Sequence, residues 1–222
     1  MTARRSRSRE LAIGLGAYAA YLGVRRLVLR RGGRERAARN AERVVSLERR
    51  VGVAVEPALQ RSVLRAPRAV HALNAGYALA NVMLSIGLLL RMYRQGDPRF
   101  ARERRAAAAA FLGALPVFLA FPTAPPRTRD EFVDTLADGG IDIEHPLLVR
   151  FYNPVAAMPS LHVAFAVVTS VGHAHRAATL GRALWPAYAP AVSLVVVATG
   201  NHYVLDVAGG AALGLAARAL TR

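Results

Sequence analysis

The sequence predicts an all-α integral membrane protein: a bundle of six transmembrane helices, with an amphipathic interfacial helix between the first two spans. Three observations carry this prediction. Of 222 residues, 54% are apolar, yet the formal charge is +16. The apolar residues fall in long uninterrupted runs, each near the 17–25 residues that a spanning helix needs. The basic residues, all arginine with no lysine anywhere, gather between those runs. A high isoelectric point would otherwise suggest nucleic acid, but the arginines are not interleaved with aromatics. Anionic lipid head groups are therefore the expected partner, and nucleic acid is not. The absence of cysteine removes disulfides, thiol nucleophiles and cysteine-type metal sites.

The spans follow in chain order. Leu11–Leu29 is the first, and it requires Arg25 and Arg26 to snorkel towards head groups. The connector Arg31–Arg68 places Val44, Val45, Leu47, Val51, Val55 and Leu59 on one helical face among arginines and glutamates, the pattern of a helix lying in the interface plane. Val70–Leu90 is the second span, ending at Arg91 and Arg94. Ala106–Phe121 is the third and stops at Pro122. Pro154–Gly172, Ala183–Thr199 and Val204–Leu220 complete the six. The arginines divide almost evenly between the two faces, so charge alone does not orient the bundle. The loop Pro122–Met158 is different: Asp130, Glu131, Asp134, Asp138, Asp142 and Glu144 outnumber its three arginines, which places it outside.

The residues that break the apolar rule are the informative ones, because an ionisable side chain inside a span marks a functional site by default. Asp206 is the one acid after His145, and it sits one turn into the last span. His202 precedes it by four residues, so the two side chains share a helix face. The carboxylate can fix the imidazole tautomer and leave the other nitrogen as nucleophile or base. His162 sits in Pro159-Ser160-Leu161-His162, where proline at a first helical position opens a helix whose N-terminus suits an anion. The segment Phe121-Pro122-Thr123-Ala124-Pro125-Pro126-Arg127 ends in a guanidinium, a bidentate phosphate ligand by chemistry. By span parity, the third span's exit, the fourth span's entry and the link between the last two open on one membrane face. His173 and His175 read as interfacial groups, His71 and His145 as structural or exposed. Asp134-Thr135 reads as solvated loop, with contact to an acceptor head group as the other option.

Pro-Ser-Leu-His followed some forty residues later by His202-Tyr203-x-x-Asp206 resembles the type 2 phosphatidic acid phosphatase superfamily. Leu161, where lipid phosphatases usually carry glycine, is similar to the inositolphosphotransferase branch that includes inositol phosphorylceramide synthases. Asn153–His162 and Phe121–Arg127 are similar to bacterial members of that branch, and Asn74, Tyr77 and the Glu42–Glu56 region extend the likeness upstream. The resemblance implies a six-span core and phosphohistidine chemistry without metal or other cofactor. It casts His202 as nucleophile, Asp206 as its orienting carboxylate and His162 as proton donor to the leaving oxygen. Arg127, Ser160, Leu161 and Asn201 would line the phosphate. The superfamily's first-motif lysine is absent, with Arg99 and Arg102 as candidate substitutes. Val196 stands where the third motif usually has arginine, and Asn81 where bacterial relatives often have histidine.

Residues 1–69 are then an N-terminal span with an arginine-rich interfacial helix, and 70–222 a membrane-embedded catalytic core. The expected activity is transfer from a membrane lipid phosphoester, with an alcohol such as inositol as acceptor, at the extracytoplasmic face of a bacterial plasma membrane. A lipid phosphate or polyprenyl pyrophosphate phosphatase is the alternative within the superfamily. A metal-dependent hydrolase using His162, His202 and Asp206, and a non-catalytic lipid-binding protein, are alternatives of other classes.

Overall fold

The computed structural model describes the chain apart from residues 1–5, 31, 77–80, 141, 143–144, 146, 175–178 and 222, and apart from the side chains of 75, 82, 148 and 179–183. Tyr77, Glu144 and His175, singled out in the sequence, lie outside the described residues. Among the described residues the fold is all-helical. It has ten α-helices: α1 Arg7–Arg30, α2 Gly33–Val51, α3 Glu56–Val63, α4 Pro67–Ala75, α5 Asn81–Arg94, α6 Phe100–Ala120, α7 Thr135–Asp138, α8 Leu161–Ala174, α9 Thr179–Ala198 and α10 Val204–Leu220. A lone parallel bridge joins Thr123 to Ala156.

The centre of the molecule is α8. It packs on α9 and α10, with α6 and α5 closing round it and α1 outside α6. Val163, Ala166 and Val167 of α8 meet Val192, Val196 and Val197 of α9 in one cluster. Ala164 and Val168 meet Ala106, Ala110 and Ala217 in another. Small residues set these distances. A side chain at Gly210 would put its Cβ 2.3 Å from the Ser160 carbonyl oxygen, and one at Gly214 would meet the Ala164 carbonyl at 2.8 Å. A buried ion pair, Arg218 with Glu103, ties α10 to the start of α6.

The helices depart from the predicted spans in three ways. By length and hydropathy only α1, among the described residues, is alone long and apolar enough to cross a membrane. α6 begins six residues before the predicted third span and takes in Arg102, Glu103, Arg104 and Arg105. α8 starts at Leu161 and not near Pro154, because residues 154–160 form a turn, the bridge from Ala156 to Thr123 and a bend before the helix begins.

The amphipathic connector is two helices, not one interfacial helix. Gly52, in the left-handed region at φ +76°, ends α2, and α3 opens at Glu56. The predicted stripe divides accordingly. Val44 and Val45 are buried against Tyr203, Leu59 packs beside the α8–α9 core, and Leu47, Val51 and Val55 stay exposed. Arg25 does not snorkel freely. It donates to the backbone carbonyls of Val149 and Tyr152 and so fastens α1 to the loop before α8.

Gly210 and Gly209 give a matched test of the α8–α10 contact. Gly210→Ala drives a Cβ into backbone that cannot yield, whereas at Gly209 the added atom meets Pro159 Cβ at an ordinary 3.4 Å. Overpacking of this kind costs about 1–3 kcal/mol. In detergent, the thermal midpoint of Gly210→Ala should fall by several degrees while Gly209→Ala stays close to the parent.

Candidate active site

The site forms where the ends of α6, α8 and α9 approach the first turn of α10. α9 stops at Ala198, Gly200 adopts φ +72°, and the chain turns through Asn201 and His202 into α10. The Val196 carbonyl holds this turn by accepting both the Asn201 N–H (2.9 Å) and the His202 N–H (3.0 Å). The Arg127 N–H donates to the Gly200 carbonyl at 2.8 Å, which brings the proline-rich segment against the same turn.

His202 is almost fully buried, and its Nδ1 lies 3.4 Å from Asp206 Oδ2. That is ion-pair range but longer than a charge-assisted hydrogen bond, which runs at about 2.7–2.9 Å. The same Asp206 oxygen accepts the Tyr203 N–H at 2.9 Å. His162 faces His202 with ring centroids 5.8 Å apart and planes inclined by 62°, close enough for both rings to reach one phosphoryl-sized group. Arg127 is 7% exposed. Its Nη1 donates to Asn201 Oδ1 (2.9 Å), its Nη2 to the Tyr152 hydroxyl (3.1 Å), and its Nε stands 3.9 Å from Asp134. Asn201 in turn donates to Thr199 Oγ1 at 2.8 Å and, more weakly, to Asn74 Oδ1 at 3.4 Å.

These groups sit at one end of a cavity of about 1150 Å³ that runs between α1, α5, α6 and α8. Its polar end holds Arg127, Asn201, His202, His162 and Tyr152. Its body is walled by residues such as Leu11, Ile86, Leu89, Phe111 and Phe165, and its far end reaches Arg94 and Arg104. Leu161 lies on the wall beside His162, packed with Ala114, Leu115 and Phe118. This is a narrow polar head on a long apolar slot, the outline of an amphiphile with a small anionic group.

Five of the seven expected groups, His162, His202, Arg127, Asn201 and Leu161, therefore line one cavity, and Asp206 stands directly behind His202. Ser160 is not on the cavity wall. It is fully buried at the α8–α10 contact, its N–H donates to the Asp206 carbonyl (3.0 Å), and its hydroxyl oxygen accepts the Val163 N–H (3.3 Å). It is the N-terminal cap of α8 and a link to α10. Neither substitute for the missing lysine reaches the site. Arg99 is paired with Asp97 at the opposite end of α6, and Arg102 lies beside it; a helix of that length separates them from Arg127 by about 30 Å. Val196 is fully buried in the α8–α9 core. Asn81 holds α8 from α5, donating to the His162 carbonyl (2.8 Å) and accepting from the Tyr188 hydroxyl (2.7 Å). Asp134 and Thr135 are not solvated loop. Asp134 caps α7, while the buried Thr135 donates to the Thr199 carbonyl and accepts from Asn74. Among the described residues no three His, Asp or Glu side chains are grouped to hold a metal ion.

The sequence reading missed two carboxyls. Glu48 of α2 and Glu56 of α3 are buried and accept the Leu205 N–H (2.7 Å) and the Val204 N–H (2.8 Å) at the start of α10. Burial pushes the Glu48 carboxyl up from the ordinary 4.5 to about 8. The Leu205 N–H opposes that shift, and the neighbouring Glu56 and Asp206 add to it. A glutamate interrupting an apolar helical stripe was the available signal.

An all-helical chain with two histidines, a carboxylate and an arginine at the head of an apolar slot defines a phosphoester-handling class of protein. The family comparison agrees: residues 42–220 match the model of the PAP2 superfamily, and the chain belongs to that superfamily. No curated protein and no solved structure matches it. Membership supports an enzyme of phosphatase or phosphotransferase type, and members are typically membrane-associated.

The Glu48 shift has a definite sign. The folded chain keeps this proton up to about pH 8, whereas the unfolded chain releases it near 4.5. Between those values the folded state binds more protons, so stability falls as pH rises. The thermal midpoint in detergent should drop between pH 6 and pH 9, and Glu48→Gln should flatten that drop.

Proposed function

We propose that this protein is an integral membrane phosphotransferase that acts on a lipid phosphoester through a phosphohistidine, without a metal, and passes the phosphoryl group to an alcohol. The observation that carries the reading is the facing pair His162 and His202 beside Arg127, at the head of an apolar cavity. With Nδ1 turned to Asp206, His202 attacks phosphorus through Nε2. The P–O ester bond breaks, and the departing oxygen takes its proton from His162. An acceptor hydroxyl then attacks phosphorus and gives its proton back to His162, the P–N bond breaks, and the new ester leaves with His202 restored. Arg127 carries the non-bridging oxygens, and Asn201 acts by holding its Nη1. Ser160 acts indirectly, by fixing the α8 turn that presents His162.

Outward-facing leucines support the membrane reading. Leu15, Leu112, Leu194 and Leu215, on α1, α6, α9 and α10, are each more than 40% exposed, and apolar surface distributed this way round a bundle suits hydrocarbon. In this proposal the helices cross together as the six-span bundle, including those too short or too charged to cross alone. The acidic loop and the site lie on the extracytoplasmic side of a bacterial plasma membrane. Transfer is favoured over hydrolysis because Leu161 puts an apolar branched side chain on the wall beside His162, which limits water at the phosphohistidine.

His202→Ala should abolish turnover, a loss of more than about a thousandfold, together with an acid-labile phosphoenzyme trapped from labelled substrate. The label on the parent protein should still form after exhaustive chelation. Label on His202→Ala removes the nucleophile assignment, and loss on chelation with rescue by one divalent ion removes the metal-free one.

The acceptor is read from products. Purified protein in lipid, given labelled phospholipids with and without inositol, should make a new phosphodiester only when the polyol is present. Release of inorganic phosphate alone from phosphatidic acid or a polyprenyl pyrophosphate, with every alcohol ignored, makes the protein a phosphatase.

A further inference from the structure

We propose that Glu48 and Glu56 are positioning residues for His202, reaching from α2 and α3 to fix the first turn of α10. The inference rests on the reading of His202 as the reacting histidine.

The first backbone N–H groups of any helix lack partners within the helix. In α10 three successive ones are taken by carboxyl oxygens from three segments. Tyr203 N–H goes to Asp206, Val204 N–H to Glu56 and Leu205 N–H to Glu48, at 2.9, 2.8 and 2.7 Å. His202 is the residue immediately before this clamp, and Asp206, its partner, is inside it. Glu48 is fully buried, Glu56 is 2% exposed and Asp206 is fully buried. A carboxyl placed there only for helix-dipole compensation would sit as well at the surface, where it costs less.

Three acids in one buried shell cannot all be charged cheaply. Glu48 faces Glu56 on α3 and Asp206 on α10. One Glu48 oxygen accepts the Leu205 N–H, and the Glu56 carboxyl stands beside the other as an acceptor for the proton of a neutral Glu48. A neutral Glu48 removes a like charge from beside Asp206, the carboxylate that faces His202. Glutamine reproduces that neutral form and aspartate does not reach.

The test is kinetic and spectroscopic on the full chain in detergent micelles. Glu48→Asp and Glu56→Ala should each lower kcat by about 10–100-fold, the scale of a misplaced reacting group, with KM nearly unchanged. Glu48→Gln should stay within about threefold of the parent. Independently of turnover, the His202 ring resonances in ¹⁵N-histidine spectra, assigned with His202→Ala, should move in Glu48→Asp and Glu56→Ala but not in Glu48→Gln. If Glu48→Gln is as impaired as Glu48→Asp, or if the His202 resonances stay put in both impaired variants, the positioning role is overturned. Activity surviving in His202→Ala would instead overturn the nucleophile assignment, and the ring resonances would still report on the clamp.

Discussion

Asp206 is the joint on which the site depends. Its carbonyl accepts the Ser160 N–H, and its carboxylate takes the Tyr203 N–H and faces His202 Nδ1. One buried residue thus fixes the turn that carries His162 and the turn that carries His202. The joint closes because Gly210, one helical turn further on, lets the Ser160 carbonyl lie against α10 without a side chain between them. Two local motifs forty residues apart become one site through a backbone contact of this closeness.

Local relations were legible in the sequence and long-range ones were not. His202 and Asp206 could be paired from their spacing, but not for the reason expected: α10 starts at Val204, so His202 stands in the turn before it and meets Asp206 across the capped first turn, not along a helix face. Their meeting with His162 and Arg127 rested on which ends of the helices share a side, and the cavity joins those groups. Ser160 shows a physical limit: a serine at a helix start can face an anion or cap its own helix, and spacing does not choose between them. Here its hydroxyl oxygen accepts the Val163 N–H while its own N–H reaches across to Asp206. The buried Val196 is a similar case. The position where relatives carry arginine packs into the α8–α9 core, which spacing alone cannot show. Glu48 interrupts the apolar stripe of its helix, but what it and Glu56 bind was not legible, because their partners are about 150 residues away along the chain.

The N-terminal helix shows how a wall and a site are coupled. α1 lines the slot with Leu11, Ile13 and Ala17. It also holds the loop before α8 through Tyr18 to the Phe151 carbonyl, Tyr21 from the Asn153 N–H, and Arg25 to two carbonyls. That loop carries Tyr152, whose hydroxyl accepts from Arg127. Arg25, which interrupts the apolar run of α1, is thus part of what orders the head of the cavity. Arg25 donates to two backbone carbonyls of this half-buried loop, tying it to α1 at two points.

The charge at the head of the slot bears on the kind of phosphoester it suits. Arg127 is tied on both Nη atoms, to neutral oxygens, and Asp134 stands 3.9 Å from its Nε, so part of its charge is already answered within the protein. The further cations that relatives place nearby are not supplied by Val196, Arg99 or Arg102. A dianionic monoester would be short of countercharge in such a site, because a desolvated anion must be matched at close range. A phosphodiester carries one charge and needs one guanidinium with a neutral donor beside it, which is what Arg127 and the adjoining Tyr152 hydroxyl offer. On the proposed chemistry, His162 then has one leaving oxygen to protonate and one incoming hydroxyl to deprotonate. The two half-reactions become near mirror images, and a diester in gives a diester out. That symmetry between donor and product adds to the shielding by Leu161 as a ground on which we favour transfer over release of phosphate.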